Sequence, residues 1–241
     1  MARFIVFDVD GTLRIPGKPV ELGVVEKMHE LVERNIHISL VSGKDADYLF
    51  GLAEGLGIPD PLVAGENGAV IFRPQQKIEL IYPVKRETRI NMDFVRNYLT
   101  HEFRDGIWFP PNKAGVTAFT KPDLSVQKVY KSAQAFIEEY RLDDLYVLPH
   151  WDAVDVMPKG LDKGIFIRYL NELGYRSEEV VAVGDALNDI PMLRAAGHSI
   201  TFQSSLPEVK GSADIIAESI YEAFGIIGRL IGNGKRKTAS K

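Results

Sequence analysis

Phe4-Ile5-Val6-Phe7-Asp8-Val9-Asp10-Gly11-Thr12 decides how the rest of the chain is read. Four consecutive apolar residues that stop at polar ones describe a strand buried on both faces, because a sheet covered on one face would alternate. Gly11 permits a sharp turn directly afterwards. Val24, Val25, Met28, Leu31 and Val32 then fall at helical spacing, and residues 36–41 form a second buried strand stopped by Ser42-Gly43. Leu49, Leu52, Ala53 and Leu56 mark another helix, and residues 62–64 a third strand. This β-α-β-α-β alternation predicts a parallel sheet with right-handed crossovers.

The rhythm then changes. Asn67-Gly68 lies between two apolar runs and signals a hairpin, which residues 78–82 extend as a further antiparallel strand. Phe94, Val95, Tyr98, Leu99 and Phe103 form a helical stripe; Val126, Val129, Tyr130, Ala133, Ile137 and Tyr140 form a second, behind Ser125 as a helix cap. Extended stretches at 107–109, 116–119, 145–148 and 153–157 complete an α-β-β-α-β-β order, the pattern of a small antiparallel sheet with helices on one face. After Pro158-Lys159-Gly160 the first rhythm returns. It gives a helix over 162–173, a strand at Val180–Val183, a short helix opened by Pro191, a strand at 200–202 and a last helical stripe of Ile220, Phe224, Ile227 and Ile231. Gly225, Gly228 and Gly232 weaken that last helix. The expected fold class is therefore α/β: a Rossmann-like parallel-sheet core from residues 1–84 and 155–241, with an inserted α+β cap domain over 85–154. Residues 234–241 hold four basic side chains and no apolar stripe, and read as a frayed terminus or a binding arm.

Composition narrows the function classes. The 241 residues are 45% hydrophobic and 26% charged, enough for a sizeable core. Twenty-nine Lys and Arg against thirty-three Asp and Glu provide no global field for nucleic acid or an anionic membrane. Cysteine is absent, which excludes disulfides, thiolate nucleophiles and Cys-based zinc or iron–sulfur sites. No stretch approaches the ~20 apolar residues of a membrane span, and Phe4–Phe7 is too short for a signal-peptide core. A soluble, cytoplasmic protein is expected, acting on a small molecule with no nucleic-acid or membrane partner, as a monomer or homodimer.

In an open parallel sheet, ligands bind beyond the carboxyl ends of the strands. The polar clusters there are Asp8/Asp10, Ser42-Gly43, Glu66/Asn67 and Asp185/Asn188/Asp189, and Lys163 precedes the helix over 162–173. Asp8 and Asp10 stand at i and i+2, so their carboxylates point the same way in an extended chain. Neighbouring carboxylates stay ionised only with a cation close by. With Asp185 and Asp189 added, an oxygen-only ligand set without His or Cys suits Mg²⁺. Ser42-Gly43 offers a hydroxyl and unhindered N–H groups to a phosphate, and Lys163 offers a point charge to offset it. Each piece alone has a plainer meaning: Asp-Gly and Asn-Asp as turn formers, Ser-Gly as a turn, an exposed lysine. Together at strand ends they specify phosphoryl transfer, in which one carboxylate attacks phosphorus and another moves protons.

Asp8-Val9-Asp10-Gly11-Thr12, Ser42-Gly43-Lys44, Lys163 and Gly184-Asp185-Ala186-Leu187-Asn188-Asp189 resemble, in order, the four motifs of the haloacid dehalogenase (HAD) superfamily of phosphatases. The insertion between the second and third resembles that superfamily's class II, subclass B cap. Gly65-Glu66-Asn67-Gly68 and the small cap look most like the archaeal-type phosphoglycolate phosphatases; sugar-phosphate, sucrose-phosphate and mannosyl-3-phosphoglycerate phosphatases are competitors, and phosphomutases share the chemistry. The resemblance implies Asp8 as nucleophile and metal ligand, Asp10 as acid/base lending its backbone carbonyl to the metal, and Ser42, Gly43 and Lys163 around the phosphoryl group. It implies Asp185 and Asp189 on the metal, Asn188 beside them as a phosphate or substrate ligand, and Glu66 and Asn67 near the leaving group, with a purely structural hairpin as the alternative for that pair. Ser42-Gly43-Lys44 replaces the Thr-Gly-Arg common in sugar-phosphate relatives, and Gln203-Ser204-Ser205 stands where Asn-Ala is common. Lys113 and Trp151 are candidate cap contacts. Histidines 29, 37, 101, 150 and 198 show no ligand spacing and receive no role.

Overall fold

The computed structural model describes residues 2–232; the basic tail from 234 lies outside the described residues. In chain order the elements are β1 (Phe4–Phe7), α1 (Leu22–Glu33), β2 (His37–Val41), α2 (Ala46–Gly55), β3 (Leu62–Gly65), β4 (Val70–Arg73) and β5 (Ile78–Ile81). Then come α3 (Arg86–Phe103), β6 (Ile107–Trp108), β7 (Val116–Thr120), α4 (Val126–Glu139), β8 (Leu145–Pro149) and β9 (Ala153–Pro158). The chain continues through α5 (Gly164–Glu172), β10 (Val180–Val183), α6 (Ile190–Ala195), β11 (His198–Phe202), α7 (Pro207–Lys210), β12 (Ile215–Ala217) and α8 (Ile220–Ile231).

Eight strands form one sheet in the order β12-β11-β10-β1-β2-β3-β4-β5. Pairing is parallel from β12 to β3 and antiparallel through β4 and β5. Strand periodicity splits β1 between two cores. Ile5 and Phe7 pack with Met28, Leu31, Phe224 and Ile227 of α1 and α8. Phe4 and Val6 pack with Phe166, Leu170, Met192 and Leu193 of α5 and α6. The helix α8 forms despite its glycines. Gly225 and Gly228 cost it roughly 1 kcal/mol each, while burying each of Phe224, Ile226, Ile227 and Ile231 returns about 1.5–3 kcal/mol.

The inserted region has its own four-stranded antiparallel sheet, β6-β7-β9-β8. Val95, Leu99, Val129, Ala133 and Phe136 of α3 and α4 pack on Val116, Ala118, Val154 and Val156. A separate apolar seam joins it to the large sheet, where Ala46 and Val70 meet Ala114 and Met157.

The expected boundary between residues 154 and 155 needs correction: β9 runs unbroken through it, pairing with β7 and β8 up to Pro158. The physical stop is Pro158-Lys159-Gly160, after which the chain returns to the large sheet. The strand β12 was not expected from the sequence. Ser125 occupies the cap position of α4, but its side chain makes no capping hydrogen bond. The Asn67-Gly68 hairpin forms with a four-residue connection, in which Glu66, Asn67 and Gly68 all have positive φ (50°, 54° and 90°).

Candidate active site

Register builds the site. Phe7 pairs with Leu40 of β2 and Val183 of β10, so the central strands end level and Asp8, Ser42 and Asp185 all emerge just past one edge of the sheet. The chain leaves β1 for β2 on one side, while β10 flanks it on the other, a topological switch point. Gly11 turns the chain there with φ 96°; a Cβ at this position would overlap the Asp185 carboxylate, so the turn and the close approach both require glycine.

At the centre is a buried ammonium. Lys163 is 1% exposed, and its Nζ donates to Asp8 Oδ1 and to Asp189 Oδ1, each at 2.6 Å. The other oxygen of Asp189 accepts the backbone N–H groups of Asp185 and Ala186 at 3.0 and 2.9 Å. Asp185 accepts from the Thr12 hydroxyl at 2.8 Å. Asp8, Asp185 and Asp189 bring one carboxylate oxygen each to within 4.8 Å of one another. Burial pushes the Asp8 carboxyl up to about 8, with Lys163 opposing and the neighbouring aspartates reinforcing. Asp185 is pushed up to about 6 by burial and by Asp189. Burial works against the Lys163 ammonium, yet Asp189 and Asp8 outweigh it and hold its pKa above the ordinary lysine value. One ammonium among three carboxylates leaves a surplus of negative charge. An oxygen-only set of this kind fits a hard divalent cation such as Mg²⁺, which would favour the ionised forms.

Asp10 stands outside this group. Its carboxylate is held by Arg14 Nε at 2.8 Å and by Lys44 Nζ at 3.3 Å, and Arg14 also donates to the Tyr48 hydroxyl. Ser42 is 5% exposed, accepts the Lys44 N–H at 3.3 Å on its hydroxyl, and lines the same cleft as Gly43. That cleft holds about 500 Å³ between the large sheet and the inserted region. Asp8, Asp10, Lys44 and Asn188 face it from below, and Phe119, His150, Trp151 and Asp152 from above.

The expected residues do not all gather there. Glu66 is buried but does not line the cleft: its carboxylate accepts the backbone N–H groups of Lys113, Ala114 and Gly115 at 2.7–2.9 Å, tying the insertion to the large sheet. Asn67 bridges Asp155 and Asn188. Lys113 pairs with Glu79 at 2.6 Å and Asp47 at 3.2 Å, away from the cleft, whereas Trp151 lines it. His150, given no role by spacing, is in the wall with Nε2 at 2.7 Å from Asp155 Oδ2. Arg14, Asp152 and Asp155 carried no signal of their own. Asp155 is the lone acid within an apolar run, and its partner Asn67 lies 88 positions away.

A parallel sheet with a charged switch point under a small α+β lid is the layout of a capped phosphoryl-transfer hydrolase. The chain belongs to the haloacid dehalogenase-like hydrolases, whose family pattern matches residues 5–109 and 110–228. It is 27% identical over 228 residues to a phosphoglycolate phosphatase from Methanopyrus kandleri, covering 91% of this chain and 92% of the relative. It is 25% identical over 250 residues to an HMP-PP phosphatase from Serratia proteamaculans, with 87% of each chain covered. The fold matches that of a HAD subclass IIB sugar phosphatase with a TM-score of 0.69 at 18% identity, covering 92% of this chain and 95% of the other. Among the described residues, no helix is long and apolar enough to cross a membrane.

Proposed function

We propose that the protein hydrolyses a small phosphomonoester through an aspartyl-phosphate on Asp8, with Mg²⁺ as cofactor. The reading rests above all on buried Lys163, which bridges Asp8 and Asp189 within a cluster of three carboxylates, two of them buried. Asp8, Asp185 and Asp189, with the backbone carbonyl of Asp10, would hold the ion, which when bound neutralises phosphate charge and favours ionised Asp8. Asp8 Oδ attacks phosphorus and the ester P–O bond breaks. Asp10 gives a proton to the departing alkoxide, then takes one from the water that cleaves the acyl phosphate. Arg14 and Lys44 hold the Asp10 carboxyl in place between those two tasks. Lys163 offsets the transferring group's charge, and the Ser42 hydroxyl and Gly43 N–H serve its oxygens.

The favoured substrate is 2-phosphoglycolate. The relative from Methanopyrus kandleri carries that name, and Lys44 puts an ammonium in the cleft for a carboxylate on the leaving group. A sugar phosphate is the second reading, favoured by Asp152, Phe119 and Trp151 in the upper wall, a carboxylate for hydroxyls and aromatic faces for a ring. Phosphate release from a panel of metabolites, with Mg²⁺ and with EDTA, tests both readings. Metal-dependent release with 2-phosphoglycolate ahead of hexose phosphates is expected. Hexose phosphates ahead would favour the second reading, and no release from any ester would overturn the phosphatase itself.

A further inference from the structure

We propose that Asp155, on the inserted region's strand β9, is a positioning residue for Asn188 of the large domain, acting through Asn67. The proposal rests on the phosphatase reading only for its consequence in turnover; the hydrogen-bond line itself stands on geometry.

The argument is one of donors and acceptors. Asp155 is 1% exposed, and an ionised carboxylate accepts hydrogen bonds but donates none. Asn67 therefore meets Asp155 Oδ2 with Nδ2, at 2.7 Å. The carbonyl end of the same amide is left for Asn188, which must present its own Nδ2, at 3.0 Å. Asn188 lines the cleft, and it keeps Oδ1 as an acceptor and the second hydrogen of Nδ2 as a donor for an occupant. An acceptor there serves a water molecule or a cation's hydration shell. The remaining N–H can serve a phosphoryl oxygen, so the line fixes which way both ends of the Asn188 amide face.

Two observations mark the line as built. Burial pushes the Asp155 carboxyl up, but His150 beside it and the hydrogen bonds on it win and hold it below the usual carboxylate range. Asn67 in turn sits at φ 54°, a left-handed conformation that Asn and Asp tolerate better than most residues.

Reversing polarity tests it. Asn67→Asp sets two carboxylates face to face; adding Asp155→Asn restores one donor and one acceptor and still leaves a carboxylate oxygen for Asn188 Nδ2. With Mg²⁺ and a substrate the wild type turns over, kcat should fall at least about tenfold in Asn67→Asp and return to within about threefold in the exchange, with KM within about threefold throughout. An exchange as slow as the single variant, or a loss confined to KM, would overturn the relay. In parallel, the ¹⁵N side-chain amide signals of wild-type Asn67 and Asn188 should be displaced from the free-amide position, and that of Asn188 should move in Asn67→Asp. An Asn188 signal indifferent to residue 67 would overturn the proposal whether or not the protein hydrolyses any ester. Absence of all hydrolysis with the coupled signals intact would remove the phosphatase reading alone.

Discussion

The two walls of the cleft are built by different physics. The lower wall is charge held by backbone: Asp8, Ser42 and Asp185 sit where three paired strands stop, and Lys163 is locked between two of the aspartates. Little in it can move without breaking the sheet. The upper wall is a small, separately packed unit whose inner surface is mostly Phe119, Leu148, Trp151 and the edges of β7 and β9. It touches the lower wall through the alanine-rich seam, the Glu66 carboxylate and the Asp155–Asn67 bond. The lower wall can thus keep one chemistry while the upper one varies which leaving group is admitted.

If that division is right, the largest effect available comes from the lower wall. Asp8→Asn should reduce kcat by about 10⁴-fold or more, the scale seen when a covalent nucleophile is lost. It should also leave the metal-free protein at least as stable as wild type, because it removes a carboxyl whose charge burial opposes. Turnover and thermal melting on one preparation separate the two effects. Unchanged turnover would remove the aspartyl-phosphate from the mechanism.

Lys163→Met comes next. With the ammonium gone, Asp189 remains buried without its cation, and removing one partner of a buried ion pair costs about 3–5 kcal/mol. Denaturant unfolding in EDTA should show that loss, and saturating Mg²⁺ should recover part of it by binding only the folded chain. A variant as stable as wild type would mean that the Lys163–Asp189 pair adds nothing to the stability of the fold.

The lower wall was legible in the sequence for a physical reason. Phosphoryl transfer needs particular residue types at strand ends, and strand ends announce themselves by apolar runs that stop. Asp8, Ser42 and Asp185 could be placed in this way, and Lys163 by the helix that follows it. Glu66 shows the limit of the method: it was grouped with the leaving-group side because it borders the insertion, but its carboxylate is spent on three N–H groups of the 113–115 loop. Nothing in the spacing of Glu66 and Lys113 reveals a bond that only tertiary packing creates. His150 and Asp155 escaped because a wall built of packed side chains has no fixed order along the chain.

The smallest effect belongs to the upper wall and turns on His150. Burial pulls the imidazole's pKa down, but the Asp155 carboxylate at 2.7 Å outweighs it, and the net shift is upward from the ordinary histidine value. Asp152 and Asp8 add negative charge around the ring, and Lys163 opposes them. A group whose folded pKa is raised contributes stability that is complete below its unfolded pKa, about 6.5, and is lost as pH rises through the folded value. Asp155, shifted downward, contributes above about pH 4 and loses its share on further acidification. The ion pair therefore stabilises most between about pH 4 and 6.5. His150→Gln keeps a donor for Asp155 and removes only the titrating charge. Wild type should melt about 2–4 °C above the variant near pH 6, the size expected of roughly 1 kcal/mol in a chain of this length. That gap should close towards pH 9, while kcat stays within about threefold. A gap that is constant with pH would show that the ring packs without carrying charge. A large loss of kcat would show that the ring itself, and not Asp155 alone, supports turnover.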